Sequence, residues 1–261
     1  MKSLNVVAIA ASLLATSAHA ATVAGGSLIL NLDRNAFAAG IDLDNTPAPS
    51  IYVEEYFDAS AASKTFAQLR DSNTPVDLTN YAANEISAIG LEFTVNGASV
   101  APNPTNRHNS PTTFSFDPNN IAATATGNIG LAGGMRYRVD VDPPTNRVLM
   151  ADMILAYNPA EQQKTPESSA WVIYNQVGFS AVAFELFDVT TQLTGNVLTL
   201  NGSLGYGWGF DHLGAEVARA ANARIGTFSF QTTVVPLPAA VWMFLSGALG
   251  LGAAGYRKKA A

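Results

Sequence analysis

No cysteine occurs anywhere in the 261 residues, and only three histidines do. The first absence excludes thiol nucleophiles and disulfides, so the fold must be stable through its core or through bound ions. The second leaves little for zinc: no pair of histidines has ligand spacing, and no Gly-x-Ser-x-Gly elbow or Walker loop is present. Charge is also sparse, at 13% of residues. Residues 21–233 hold all 20 acidic side chains but only 10 of the 14 basic ones, giving a formal charge of −10 against −6 for the whole chain. Such a segment repels nucleic acid and anionic lipid, and no basic patch offsets it. Within it there is no long apolar run, no internal repeat and little helical periodicity.

The two ends of the chain have what the middle lacks. At the start, Lys2 precedes an apolar stretch over 6–15 and then Ala18-His19-Ala20, the pattern of a secretory signal peptide over 1–20. Signal peptidase cleavage between Ala20 and Ala21 makes Ala21 the expected mature N-terminus. His19 leaves with the leader, so only His108 and His212 remain in the mature domain. At the far end, Val235-Pro236-Leu237-Pro238 precedes a charge-free run and then Arg257-Lys258-Lys259. The run over 239–256 is long enough to cross a thin hydrocarbon core as a helix, with Tyr256 at the interface and a basic stop. The proline pair holds the approach extended.

That tail, residues 234–261, resembles the PEP-CTERM sorting signal of Gram-negative bacteria, which is also called the ice-binding protein C-terminal domain. It departs at Leu237, where the name-giving motif has Glu. The resemblance covers only the tail and carries nothing over to the rest. It implies passage through the secretion translocon, transient anchoring in the inner membrane, and recognition by an exosortase, a membrane-embedded transpeptidase. Pro236 and Pro238 match the recognition element, with Val235 and Leu237 beside them. The helix serves retention, and Arg257, Lys258 and Lys259 set orientation.

Between the signals, residues 21–233 alternate as β structure. Strands are expected at 27–32, 51–57, 86–95, 135–142, 147–157, 171–176, 182–190, 197–204 and 224–235, separated by turn residues. In Met135-Arg136-Tyr137-Arg138-Val139-Asp140-Val141-Asp142 the alternation is strict, which predicts one apolar face and one face in water. Asn96-Gly97 predicts a type I′ hairpin, and Thr194-Gly195-Asn196 and Asn201-Gly202 predict further turns. Short helices are expected at 60–70, burying Phe66 and Leu69, and at 216–223. Pro/Asn-rich stretches such as 101–111 and 158–167 read as surface connections. The expected fold is all-β, an antiparallel β-sandwich resembling a jelly roll.

Candidate chemistry in this middle domain is thin. Asp42, Asp44 and Asn45 in one loop, and Asp140 with Asp142 at a strand end, offer oxygen ligands for calcium; Asp at turns equally bonds its own backbone. In Gly205-Tyr206-Gly207-Trp208-Gly209-Phe210 an extended chain would put Tyr206, Trp208 and Phe210 on one face, either as core or as a platform for sugar rings. Asp211 and His212 could join a serine in a hydrolase triad, a pattern that can be drawn in almost any chain. The expectation is therefore a non-enzyme: an exported, exosortase-sorted structural or adhesive protein of the cell surface or extracellular matrix, associated with exopolysaccharide or biofilm. The alternative is a carbohydrate-binding, calcium-supported, lectin-like module.

Overall fold

The computed structural model describes residues 20–41, 51–71, 84–139 and 147–236. They form twelve strands: β1 (Ala21–Leu32), β2 (Ile51–Phe57), β3 (Leu91–Thr94), β4 (Ser115–Phe116), β5 (Asn128–Gly130), β6 (Gly134–Val139), β7 (Arg147–Ala151), β8 (Ile154–Tyr157), β9 (Trp171–Asn175), β10 (Ala181–Thr194), β11 (Val197–Tyr206) and β12 (Arg224–Pro236). The large sheet runs β3-β1-β12-β11-β10-β9-β8-β5, with β4 paired to β1, and a smaller sheet runs β2-β6-β7. Every pairing is antiparallel. The mostly β, antiparallel reading holds, and two sheets around one core are consistent with a sandwich. The consecutive neighbours from β8 to β12 form a meander, whereas a jelly roll alternates strands between sheets.

The large sheet curls until its first and last strands meet. Val95 bridges Leu131, Asn96 N–H donates to Gly130 O at 2.8 Å, and Ala132 N–H donates to Thr94 O at 2.8 Å. The edge beside β3 is thereby closed over this stretch, removing a template for stray strand addition. Alternation sets which side is dry. Leu28, Leu30, Leu200, Phe228 and Phe230 point inward, while Ser27, Thr199, Asn201, Ser229 and Gln231 point outward.

A short helix, Arg34–Ala39, plugs the core. Asp33 caps it by accepting from the N–H groups of Asn35 and Ala36, which fixes the entry angle and drops Phe37 inward. Phe37 meets Tyr137 at 5.3 Å, Tyr206 at 5.8 Å and Phe210 at 5.6 Å between ring centroids. The Tyr206 hydroxyl donates to the Phe37 carbonyl, so this buried phenol is satisfied. Gly40 lies against the Tyr206 ring where a Cβ would collide.

Several expectations fail for definable reasons. The polar face of β6 is not in water: Arg136 and Arg138 are both buried, because β2 and β7 flank the strand, and β2 supplies the carboxylates Glu54 and Glu55 that Arg136 meets. The strand is described only to Val139, and Asp140 and Asp142 lie outside the described residues. Asn96-Gly97 makes no hairpin. β3 pairs with β1, neither turn residue has the positive φ of a type I′ turn, and Asn96 instead donates its side chain to Ser110 O at 2.8 Å. Asn201-Gly202 lies inside β11, opposite a bulge after Phe187, where a Cβ on Gly202 would approach the Phe187 carbonyl to 2.5 Å. Thr194-Gly195-Asn196 does turn β10 into β11, with Gly195 at φ 59°. The helix expected over 60–70 is split into a 3-10 turn, Ala59–Ser63, and a helix, Phe66–Arg70, capped by Asp58 and Thr65. The helix expected over 216–223 forms as Glu216–Ala220, three residues shorter. β12 runs past the boundary expected at 233 to Pro236, which pairs with Ala21.

Buried charge joins the small sheet. Glu54 accepts from Arg136 Nε at 2.7 Å and from Arg147 Nη2 at 2.8 Å, and Arg136 Nη2 reaches Glu55 at 2.6 Å. Arg136 Nη1 also donates to Leu69 O at 2.8 Å, tying helix Phe66–Arg70 to the sheet. Burial alone would push the Glu54 carboxyl up, but hydrogen bonds from Arg147 and Arg136 outweigh it and hold it below the usual carboxylate range. A depressed carboxylate stabilises the fold at neutral pH, and that contribution is lost as pH falls below the ordinary range. Glu54→Gln should cost about 3–5 kcal/mol at pH 7 by leaving buried guanidinium charge uncompensated. Urea unfolding should show that the loss shrinks at pH 3.

Candidate functional site

β11 ends at Tyr206, and the chain winds into a 3-10 helix, Trp208–Leu213. Gly207 and Gly209 lie against the backbone of Val182 on β10, where a Cβ at either would crowd the carbonyl. The tight winding separates the three aromatics. Tyr206 and Phe210 join the core, and Trp208 alone faces out, 37% exposed. The stacked platform therefore does not form. Asp211 and His212 also part company: Asp211 accepts from Arg219 at 2.9 and 2.6 Å, while His212 Nδ1 lies 2.8 Å from Gly209 O. No triad is assembled there. Among the described residues no three His, Asp or Glu side chains could share a metal. Asp42, Asp44 and Asn45 lie outside the described residues, as do Ala18, Leu237, Pro238, Arg257, Lys258, Lys259 and the helix expected over 239–256.

A different site is built where two loops meet the outer face of β8 and β9. One loop, residues 103–110, is a strap pinned by a buried ion pair. Arg107 Nε donates to both carboxylate oxygens of Asp152, at 3.0 and 2.9 Å, and Nη2 reaches one of them at 2.6 Å. Nη1 donates to Ala61 O at 3.1 Å and Lys64 O at 2.6 Å, and Nη2 also to Asn109 Oδ1 at 3.2 Å. Asp152 accepts in addition from His108 N–H at 2.7 Å. Its backbone at φ 52° suits a residue whose short polar side chain tolerates that region.

The second loop joins β9 to β10. Buried Asn175 donates to Val177 O at 2.8 Å and Phe179 O at 3.0 Å, and accepts from Ala151 N–H at 3.1 Å. With Gly178 at φ 74°, this turn holds the Phe179 ring out, 50% exposed and edge-on to His212 at 5.8 Å. Between strap and loop lies a cleft of about 490 Å³ lined by Asn103, His108, Asn109, Ser110, Gln176, Gly178, Phe179 and Ser180.

A second hollow of about 340 Å³ continues from it, sharing Gln176 and Ser180 and adding Asn128, Ile154, Ala156, Tyr157, Asn158 and Tyr174. Register puts Ile154 opposite Tyr174 on this face. The Tyr174 ring is set by its hydroxyl, which accepts from Asn158 Nδ2 at 2.8 Å and lies 3.4 Å from Glu161 Oε1. Burial pushes that phenol above its ordinary value, so it stays a neutral donor through physiological pH. Tyr157 is braced edge-on against Trp171 at 5.3 Å. Among the described residues, no Asp, Glu, Lys or Arg lines either hollow. The two form one uncharged groove of amides and hydroxyls, with aromatic rings in both halves.

None of these lining residues stands out in the sequence, since they come from four separated stretches and read there as surface loops or ordinary strand. The local signal that exists is Asn175-Gln176-Val177-Gly178-Phe179-Ser180, a strand end followed by a glycine turn presenting an aromatic.

Glu185, 3% exposed, lies buried elsewhere on β10. One oxygen accepts from Thr165 Oγ1 at 3.0 Å, and the other has no partner among the described residues. Burial pushes its carboxyl up. A raised carboxylate favours the protonated form in the fold, so stability falls as pH rises from the ordinary range through the folded value.

No family model and no curated protein matches this chain. Among solved structures, the crystal structure of the C-terminal domain of HtaA from Corynebacterium glutamicum is similar at 11% identity. The alignment covers 82% of this chain and 99% of that one, with a TM-score of 0.40, too distant to carry an argument.

Two stability changes are expected, both measurable by thermal or urea melts. Asp152→Asn, which keeps the shape and tolerates the backbone, should destabilise by about 3–5 kcal/mol because Arg107 stays buried without its counter-charge. Glu185→Gln should raise the melting temperature at pH 7 and narrow its difference from the wild type at pH 4.

Proposed function

We propose that this chain is an exported β-domain protein with a structural or adhesive role at the cell surface or in the extracellular matrix, and not an enzyme. The leader over 1–20 takes it through the translocon, and the PEP-CTERM-like tail anchors it in the inner membrane until an exosortase acts near Pro236 and Pro238. The observation that carries this reading is the pairing of Ala21 with Pro236. The outermost rung of the β1–β12 ladder joins the two expected processing points. Both signals therefore leave the domain at one corner, and both can be removed without taking a residue from the core. The acidic, cysteine-free composition suits a body that stays dispersed outside the cell.

A second reading, a carbohydrate-binding module, is favoured by the uncharged groove along β8 and β9 with its exposed Phe179. Calcium support for such a module would fall to Asp42, Asp44, Asn45, Asp140 and Asp142.

The test of sorting is the intact mass of the protein recovered from each cell fraction. A product beginning at Ala21 and ending between Pro236 and Pro238, outside the cell, is expected. A chain still ending at Ala261 in the membrane fraction would overturn the sorting assignment and make the domain a tethered periplasmic one.

A further inference from the structure

The geometry points to the groove over β8 and β9 as a two-subsite binding site for a linear, uncharged oligosaccharide. This deepens the carbohydrate-binding reading and rests on it. One subsite is the cleft between strap and loop, with Phe179 as its stacking ring. The other is the hollow under Tyr174, with Asn128 and Asn158 beside it. Gln176 and Ser180 line both and would contact the sugar that spans the junction.

Three features select this ligand class. The Phe179 ring is held half in water by a pinned turn, edge-on to His212, and an aromatic face suits the C–H side of a pyranose. Carboxamides both donate and accept, as hydroxyl pairs on a sugar require; Asn103, Asn109 and Asn158 are oriented by bonds within the domain, and Gln176 and Asn128 line the groove beside them. Among the described residues, the lining carries no carboxylate and no ammonium or guanidinium, while the surrounding domain is strongly acidic. A polyanion would be repelled by the domain and meet no Lys or Arg counter-charge in the groove.

An extended peptide is the natural rival for a groove on a β protein. Peptides of that kind add to a free strand edge through backbone bonds. This groove lies instead on the face of strands already paired: β8 with β5 and β9, and β9 with β10. The frame is also rigid, because Arg107 and Asn175 fix the two loops from beneath, so little ordering opposes binding.

The test is calorimetric titration of the full-length chain in detergent with laminari-, cello- and malto-oligosaccharides of two and six sugars, and with an alginate hexamer. At least one neutral series should bind, with the hexamer roughly tenfold tighter than the dimer because it fills both subsites. Phe179→Ala should weaken that hexamer roughly tenfold, and Tyr174→Ala should weaken the hexamer more than the dimer. Tyr174→Phe, which keeps the ring, should bind nearly as the wild type does. Phe179 is exposed, so its variant tests the site without unfolding the domain; Gln176→Ala replaces Tyr174→Ala if melting shows that the latter unfolds. Silence from all three neutral series overturns the proposal, as does equal binding of alginate, or binding unchanged by Phe179→Ala. A hexamer no tighter than the dimer overturns the two-subsite form. None of these outcomes bears on sorting, which the intact mass decides separately.

Discussion

The buried Arg107 side chain ties together segments that lie far apart in the sequence. Its guanidinium has five donors, and all find acceptors: Asp152, Ala61 O, Lys64 O and Asn109. A charge taken out of water this completely is tolerated only when its partners are fixed beforehand. Here they come from the 3-10 turn Ala59–Ser63, the residue after it, the strap itself, and the junction of β7 with β8. The pair therefore converts four separately weak connections into one rigid corner. The groove depends on that corner, since a strap free to move would not present Asn103, His108 and Asn109 at a fixed distance from Phe179. Glu54 does a comparable job for the small sheet, binding Arg136 and Arg147 at once. In a chain with no disulfide available, buried arginine–carboxylate pairs take over the cross-linking.

What could be read beforehand was whatever depends on neighbours in sequence. Strand periodicity located most of the ladder, because inward leucines and phenylalanines alternate with outward threonines and serines. The glycine turn at Gly195 was legible for the same reason. The failures share one cause: a side chain whose role is set by a distant segment. Arg136 and Arg138 look solvent-facing until β2 is laid beside them. Asn96-Gly97 looks like a hairpin until Gly130 claims the Asn96 N–H. Gly202 looks like a turn until the bulge in β10 is seen to need its missing side chain. The stretch 206–210 looks like an extended aromatic face until its glycines are seen to let it coil against Val182.

The groove was illegible for a further reason. The lining residues Asn103, Asn128, Tyr157 and Tyr174 are brought together by strand pairing and by the pinned strap, and each one alone is unremarkable. Uncharged amide sites leave no mark in charge patterning, unlike metal or phosphate sites, whose ligands must be clustered or basic.

The Ala21–Pro236 rung also fixes how the domain carries load. The two ends lie side by side at the open end of an antiparallel ladder. Tension applied between them would strip β1 from β12 one hydrogen bond at a time, a mechanically soft direction. Tension between one end and a ligand in the groove runs instead through the body of the sheet, across many bonds at once. A protein held to a surface by a single terminus is therefore loaded along its strong axis, and one tethered by both is loaded along its weak one.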